Sequence, residues 1–258
     1  MHAGNDAEIF GASRAEITQE LISVLPGGRF LCQDGVCAMV TGVPAPSFNG
    51  VWSSRPAPAV AAVAALLGEV CRAEVPYSLK LPPGCDEAYT RLAAARGMRP
   101  VADTTLMALD AAAGGAGAAI PSPAGLAIQR LAPERARRHA VVAAAGFGTA
   151  PDIFLRAITP DLLRLASVRC YVGEVAGRPV TTSLSVTLGS CTGVFSVATV
   201  PAFQGRGYGT AVTARAVADG LAAGSAWCWL EASAAGLPAY RRVGFRVIEP
   251  RRNWVSGS

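Results

Sequence analysis

Between Val194 and Ala211 the chain reads as a short apolar run, a cluster of glycines and an alanine-rich run. Val194–Val200 has the length and composition of a strand and stops at Pro201. Gly205, Gly207 and Gly209 then fall within the six residues that start at Gln204. A strand, a glycine turn and a helix in that order aim free backbone N–H groups, backed by the positive end of a helix dipole, at whatever sits in the turn. The natural occupant is a phosphate or pyrophosphate, because glycine permits positive φ and lets an anion approach the backbone closely. The bland alternative is an ordinary glycine-rich start to a helix. Two known phosphate loops do not fit. The nucleotide-hydrolase loop ends in Gly-Lys-Ser/Thr, yet the chain's one lysine is the distant Lys80. The dinucleotide fingerprint needs a third glycine where Thr210 stands.

The elements that must position this turn follow from pattern. In the first part, residues 8–25 read as a helix with Ile9, Phe10, Ile17, Leu21 and Ile22 on one face. Arg29–Cys32 and Val36–Thr41 form a hairpin across Asp34-Gly35, and Val51-Trp52 opens a strand. A helix over Pro58–Cys71, a strand over Tyr77–Leu81, a helix over Glu87–Arg96 ended by Gly97, and a strand over Thr104–Leu109 complete it. Residues 111–124, rich in Gly, Ala and Pro with little to pack, read as a linker between domains at 1–110 and 125–258. Beyond it come a strand at Ala127–Leu131 and helices over Ala132–Phe147 and Pro151–Ser167. Strands Cys170–Val175, Val180–Leu188 and Cys191–Val200 follow, then the helix Tyr208–Gly224, the strand Trp227–Ala232 and a short helix Pro238–Val243. Phe245–Ile248 and Asn253–Val255 supply the last strand material. The fold class is therefore α/β, with a mixed sheet and flanking helices.

Composition narrows the function classes. A chain of 258 residues, 51% hydrophobic and 16% charged, is long enough for two domains with cores of their own. No run of apolar residues is long enough to cross a bilayer, and the N-terminus lacks a basic region followed by an apolar core, so the expected location is cytoplasmic and off the membrane. Seven cysteines without a C-x-x-C pair point to reduced thiols, and two isolated histidines argue against a metal site. The net charge of +5 suits an anionic cofactor, but no basic run is interleaved with aromatics, so nucleic acid is not an expected partner.

The spacing Gln204-x-x-Gly207-x-Gly209, behind a strand ending Ala198-Thr199-Val200-Pro201, resembles the pyrophosphate loop of the GCN5-related N-acetyltransferase (GNAT) superfamily. Trp227–Glu231 falls where that family's fifth strand parts from the fourth, and Tyr240 four residues before Gly244-Phe245 resembles its closing signature. The resemblance covers about residues 125–258. Ala88-Tyr89-x-Arg91 and Gly97-Met98-Arg99 echo Ala239-Tyr240-x-Arg242 and Gly244-Phe245-Arg246, so the first part reads as a degenerate GNAT-like unit in a tandem architecture. An unrelated α/β domain is the alternative. Ser53-Ser54-Arg55-Pro56 stands where a loop would be, so this unit should not hold a pyrophosphate.

The resemblance implies an acyl-CoA donor, most simply acetyl-CoA, and a small-molecule or peptide amine as acceptor, with no metal. A homodimer is compatible with this reading. The pantetheine arm would lie along the backbone of Ser196–Val200, with an oxyanion donor near Ala198, Thr199 or Val200. Gln204 would start the turn, the N–H groups of Gly205, Arg206, Gly207, Tyr208, Gly209 and Thr210 would take the pyrophosphate, and Arg206 would add charge. Tyr240 is the expected general acid, unless it only packs the last helix on the sheet. Glu231 is the first choice of base and Glu174 the second, unless either is a solvated strand-end carboxylate. Ser233 is a further cofactor contact to test. Asn49 and Trp52 would line an acceptor pocket unless they belong to a simple turn. Trp227, Trp229, Trp254 and Cys228 read as core. The rival functions are a non-catalytic acyl-CoA-binding or regulatory module and a transferase with another acyl group or an oxygen acceptor.

Overall fold

The computed structural model describes residues 3–85, 87–113 and 120–257. The chain divides into two compact units, one formed by residues 1–106 with 247–258 and the other by residues 107–246. The expected division placed 1–110 and 125–258 in separate domains. The difference lies in the end strands, whose apolar faces pack away from their neighbours in sequence. Part of the expected linker, 114–119, lies outside the described residues.

In the first unit the helix α1 (Ala3–Ile22) precedes the hairpin β1 (Arg29–Gln33) and β2 (Val36–Val40). Then come β3 (Gly50–Ser53), α2 (Val60–Cys71), β4 (Ser78–Leu81), α3 (Glu87–Ala94) and β5 (Met98–Asp110). The last strand of the chain, β11 (Arg246–Ser256), lies antiparallel to β4 and completes the order β1-β2-β3-β4-β11-β5. Strands β3 and β4 run parallel. The core is built from alternating strand residues (Val36, Ala38, Val40; Leu79, Leu81) and the apolar face of α2 (Ala62, Val63, Leu66, Leu67, Val70), and Trp254 of β11 belongs to it.

Asp34 and Gly35 both have positive φ, so the two-residue turn sets Cys32 directly opposite Cys37. The two form a disulfide. This corrects the expectation of reduced thiols throughout: the pairing follows from hairpin register, which Cys spacing alone does not reveal. Cys71, Cys170, Cys191 and Cys228 are outside this disulfide as free thiols.

In the second unit β6 (Leu126–Arg130) leads through α4 (Ala136–Phe147), α5 (Pro151–Ala157) and α6 (Pro160–Arg164) to three antiparallel strands. These are β7 (Val168–Val175), β8 (Arg178–Leu188) and β9 (Cys191–Thr199). The helix α7 (Tyr208–Ala222), β10 (Trp227–Ala232) and α8 (Leu237–Val243) follow. The sheet order is β5-β10-β9-β8-β7-β6, with Met107 and Leu109 from the end of β5 in the same core as Val212, Val217, Leu230 and Phe245. Each unit thus has its own core. The mixed α/β class is as expected. Among the described residues no helix is long and apolar enough to cross a membrane.

Candidate active site

The site begins where two strands part. β9 and β10 run parallel and pair from Trp227↔Cys191 to Trp229↔Gly193, and pairing stops there. The rings of Phe195 and Trp229 meet edge to face at 5.2 Å. A Cβ on Gly193 would lie 2.7 Å from the Phe195 ring and 3.0 Å from Trp229, so that glycine makes room for both rings at the fork. Neither Gly193 nor Phe195 stood out in the sequence, because the signal is a contact between strands.

Past the fork, β9 departs from regular pairing with β8. Thr182 faces Ala198 and Leu184 faces Phe195, so Ser196 and Val197 oppose the single residue Ser183. Ser196 takes φ of +49°, an unfavourable region for a residue with a side chain, and this is a β-bulge. Beyond it Val200 donates its N–H to Val180 O at 2.9 Å, and Ala198 O accepts from Thr181 Oγ1 at 2.9 Å. Alternation along a strand then turns the Thr199 N–H to the opposite edge, where β10 has already diverged. Of the three residues expected to face an acyl group, Ala198 and Val200 are engaged with β8 and Thr199 points to the open edge. α4 crosses close by: a Cβ on Gly146 would lie 2.7 Å from Ala198 Cβ and 3.0 Å from Thr199 N.

The glycine turn follows. Gln204 donates from Nε2 to Thr199 O at 3.1 Å, tying the turn to the strand end. Gly205 and Gly207 have φ of +76° and +80°, which accounts for glycine at both, and Gly207 caps α7. The first backbone bond of α7 runs from Ala211 N to Gly207 O. None of the N–H groups from Gly205 to Thr210 donates to another group of the protein among the described residues. Gly209 has no positive φ, and a Cβ there would touch only Thr199 Oγ1 at an ordinary 3.5 Å. Nothing inside the protein requires glycine at 209. Tyr208 is buried against Leu126, Val180 and Ala211, so it faces the turn with its N–H alone.

α8 ends in a cap that explains the Tyr240–Gly244–Phe245 spacing. Gly244 takes φ of +107°, Phe245 N donates to Tyr240 O at 3.1 Å and Gly244 N donates to Arg241 O at 3.0 Å. The ring of Tyr240 meets Phe245 edge to face at 6.3 Å, and Gly236 leaves room for its other side. The Tyr240 hydroxyl makes no hydrogen bond among the described residues. Burial pushes its pKa up to about 12. Ser233 accepts from Gly236 N at 3.3 Å and so serves the turn into α8.

Glu231 is half-buried near the end of β10, between the buried Leu230 and Ala232. Glu174 accepts from Gln129 Nε2 at 2.8 Å and pairs with Arg138 at 2.5 Å, so it is held as an ion-paired structural carboxylate rather than an open base. A Cys–His contact unforeseen in the sequence lies in the core, with Cys170 Sγ 2.9 Å from His139 Nδ1. Burial lowers the His139 pKa to about 3 and raises that of Cys170, so both are neutral and do not form a thiolate–imidazolium pair. Cys228 is buried, its thiol pushed up to about 12. Asn49 is fully buried within the first unit, donating to Val43 O, Ala45 O and Pro76 O and accepting from Thr41 N. It staples a turn, as the bland reading had it, and Trp52 is buried beside Phe30. Among the described residues no cluster of three or more His, Cys, Asp or Glu could hold a metal.

The chain as a whole has counterparts among solved structures. A GCN5-related N-acetyltransferase from Kribbella flavida matches with a TM-score of 0.65 at 18% identity, over 95% of each chain. The fold is that of the GCN5-related N-acetyltransferases. Another such protein, from Sphaerobacter thermophilus, matches at 0.59 and 17% identity over 86% of this chain and 76% of its own. A tandem GNAT protein from the clavulanic acid biosynthesis pathway matches at 0.55 and 14% identity, over 86% of this chain and 78% of its own. The GNAT likeness therefore extends over both units, in agreement with a tandem architecture rather than an unrelated first domain. No family model matches the sequence, and no curated protein matches it.

Proposed function

We propose that the second unit is an acyl-CoA-dependent N-acyltransferase, most simply one that moves an acetyl group from acetyl-CoA to a primary amine. The observation that carries this reading is the row of unpartnered N–H groups from Gly205 to Thr210, with a glycine at 209 that no internal contact demands. A diphosphate satisfies both, filling the row with acceptors and occupying the space a side chain would take.

In this reading the thioester lies in the fork between β9 and β10. The Thr199 N–H supports the oxyanion as the amine nitrogen bonds to the carbonyl carbon. As the C–S bond breaks, Tyr240 gives its proton to the departing thiolate. A phenol with a pKa of about 12 is protonated at neutral pH, the state a donor needs. Glu231 takes the proton from the amine, directly or through water.

One observation favours a second reading, in which the unit binds the carrier without catalysis: the Tyr240–Phe245 contact already gives that ring a role in the helix cap. Tyr240→Phe separates the two, since it keeps the ring and removes only the hydroxyl. Thiol release from acetyl-CoA with a panel of amines is the measurement. Turnover by the wild type, slowed at least about tenfold in Tyr240→Phe with KM little changed, supports the transferase. Tight carrier binding with no thiol release from any amine supports the binding module. An unchanged kcat in the variant removes Tyr240 as the acid.

A further inference from the structure

Arg178, the first residue of β8, and Arg206, in the glycine turn, hold their guanidinium carbons 5.3 and 5.2 Å from the centroid of the same ring, that of Phe203. Phe203 is half-buried and its ring lies 6.5 Å from that of the buried Tyr208, so the platform is anchored. Several other surface arginines stand beside carboxylates, as in Arg72–Glu69, Arg91–Glu87, Arg164–Asp161 and Arg215–Asp219. Arg178 has no ion pair and no side-chain hydrogen bond among the described residues, and Arg206 donates only to the Ala202 carbonyl, at 3.2 Å. Two cations gathered on one ring, without a paired acid and next to a row of free N–H groups that can hold a diphosphate by themselves, leave side-chain charge available for a further anionic group. Stacking also holds a guanidinium in place while its in-plane N–H edge stays free for two parallel hydrogen bonds.

We propose that Arg178, braced on Phe203, binds the phosphomonoester at the nucleotide end of the carrier and makes the site selective for 3′-phosphorylated coenzyme A over its dephospho form. This rests on the acyl-carrier reading of the glycine turn. The division of labour is physical: the backbone N–H row takes the diphosphate, which both forms carry, and the side-chain cation takes the group that only one of them has.

Calorimetric titration of the whole protein with coenzyme A and with 3′-dephospho-coenzyme A tests it, using wild type, Arg178→Gln and Phe203→Leu, each checked for native circular dichroism. The wild type should bind coenzyme A at least about tenfold more tightly, since an ionised pair lost at an anion site is worth about that factor. Arg178→Gln should erase most of this preference by weakening coenzyme A while leaving the dephospho form within about twofold, and Phe203→Leu should erase part of it. Equal weakening of both ligands in Arg178→Gln would overturn the assignment, as would a wild type indifferent to the 3′-phosphate. A wild type that binds neither ligand would instead defeat the acyl-carrier reading itself.

Discussion

The two units share a strand–turn–helix at the same place in their sheets, and only one of these turns leaves a row of backbone N–H groups open. In both, a strand that pairs antiparallel on one side and parallel on the other runs into a helix: β3 into α2, β9 into α7. After β9 the turn offers glycines at positive φ and N–H groups without partners. After β3, Pro56 and Pro58 have no N–H, and Arg55 N donates to Ser53 Oγ at 3.1 Å. The Ser53 carbonyl accepts from Arg251, whose side chain is wholly buried. α1 presses on the same turn, for a Cβ on Gly11 would lie 2.0 Å from Ser54 Oγ. Arg14 of α1 stacks over Trp52 at 4.6 Å. The first turn is thus filled by the protein's own groups, whereas the second is open. Shared topology does not carry the site; the chemistry of a few turn residues does.

The comparison breaks most visibly if the end strand is misassigned. Trp254 is 2% exposed and part of the first unit's core. Trp254→Ala should cost that unit about 3–5 kcal/mol. Hydrogen exchange should then show lost protection in β2 and β4, with β8 and β9 much less affected; the reverse pattern would show that β11 stabilises the second unit. Next in size is the turn itself. Gly209→Glu places a carboxylate in the first turn of α7, where the helix dipole accepts it and a Cβ has room, so the fold should survive. The same charge fills the N–H row, and carrier affinity should fall at least about a hundredfold, roughly 2.7 kcal/mol. Pro56→Glu, at an exposed position in the first unit's turn, should change affinity by less than about twofold. Equal losses in both variants would mean that net charge, not the turn, governs binding.

Most of this contrast is legible in the sequence. Most elements fell within a few residues of their positions because apolar periodicity and Gly/Pro punctuation are local signals, but α1 begins five residues earlier than read, β5 six residues earlier, and the helix read over Pro151–Ser167 is two, broken before Pro160. The glycine turn stood out because its residues are contiguous in the chain. What escaped was non-local. The strand β11 reads as two fragments, since Glu249, Pro250 and Arg251 interrupt its apolar pattern, and no sequence signal says which sheet it joins. The Cys32–Cys37 bond needed the hairpin register. Glu174 looked like an open carboxylate until Arg138 and Gln129, 36 and 45 residues away in sequence, closed on it. The Thr199 N–H was singled out only by seeing which neighbours β8 had already taken.

Acid offers the last and smallest separation of the two units. His139 is fully buried in the second unit, and no histidine occurs among the first unit's described residues. Its folded pKa is about 3 against an ordinary 6.5, because burial disfavours the charged ring. The unfolded chain therefore binds a proton at pH values where the folded unit does not. This contribution is fully present above pH 6.5 and is lost progressively as the pH falls toward about 3. At pH 5 the loss is about 2 kcal/mol, from 1.36 kcal/mol for each pH unit below 6.5. Between pH 7 and 5, exchange-detected stability should accordingly fall in α4 and β7 while α2 and β4 hold nearly constant. His139→Leu should flatten that slope whatever it does to stability at pH 7, because leucine takes up no proton in this window. A slope that persists in His139→Leu would mean that the acid sensitivity resides in groups other than this imidazole.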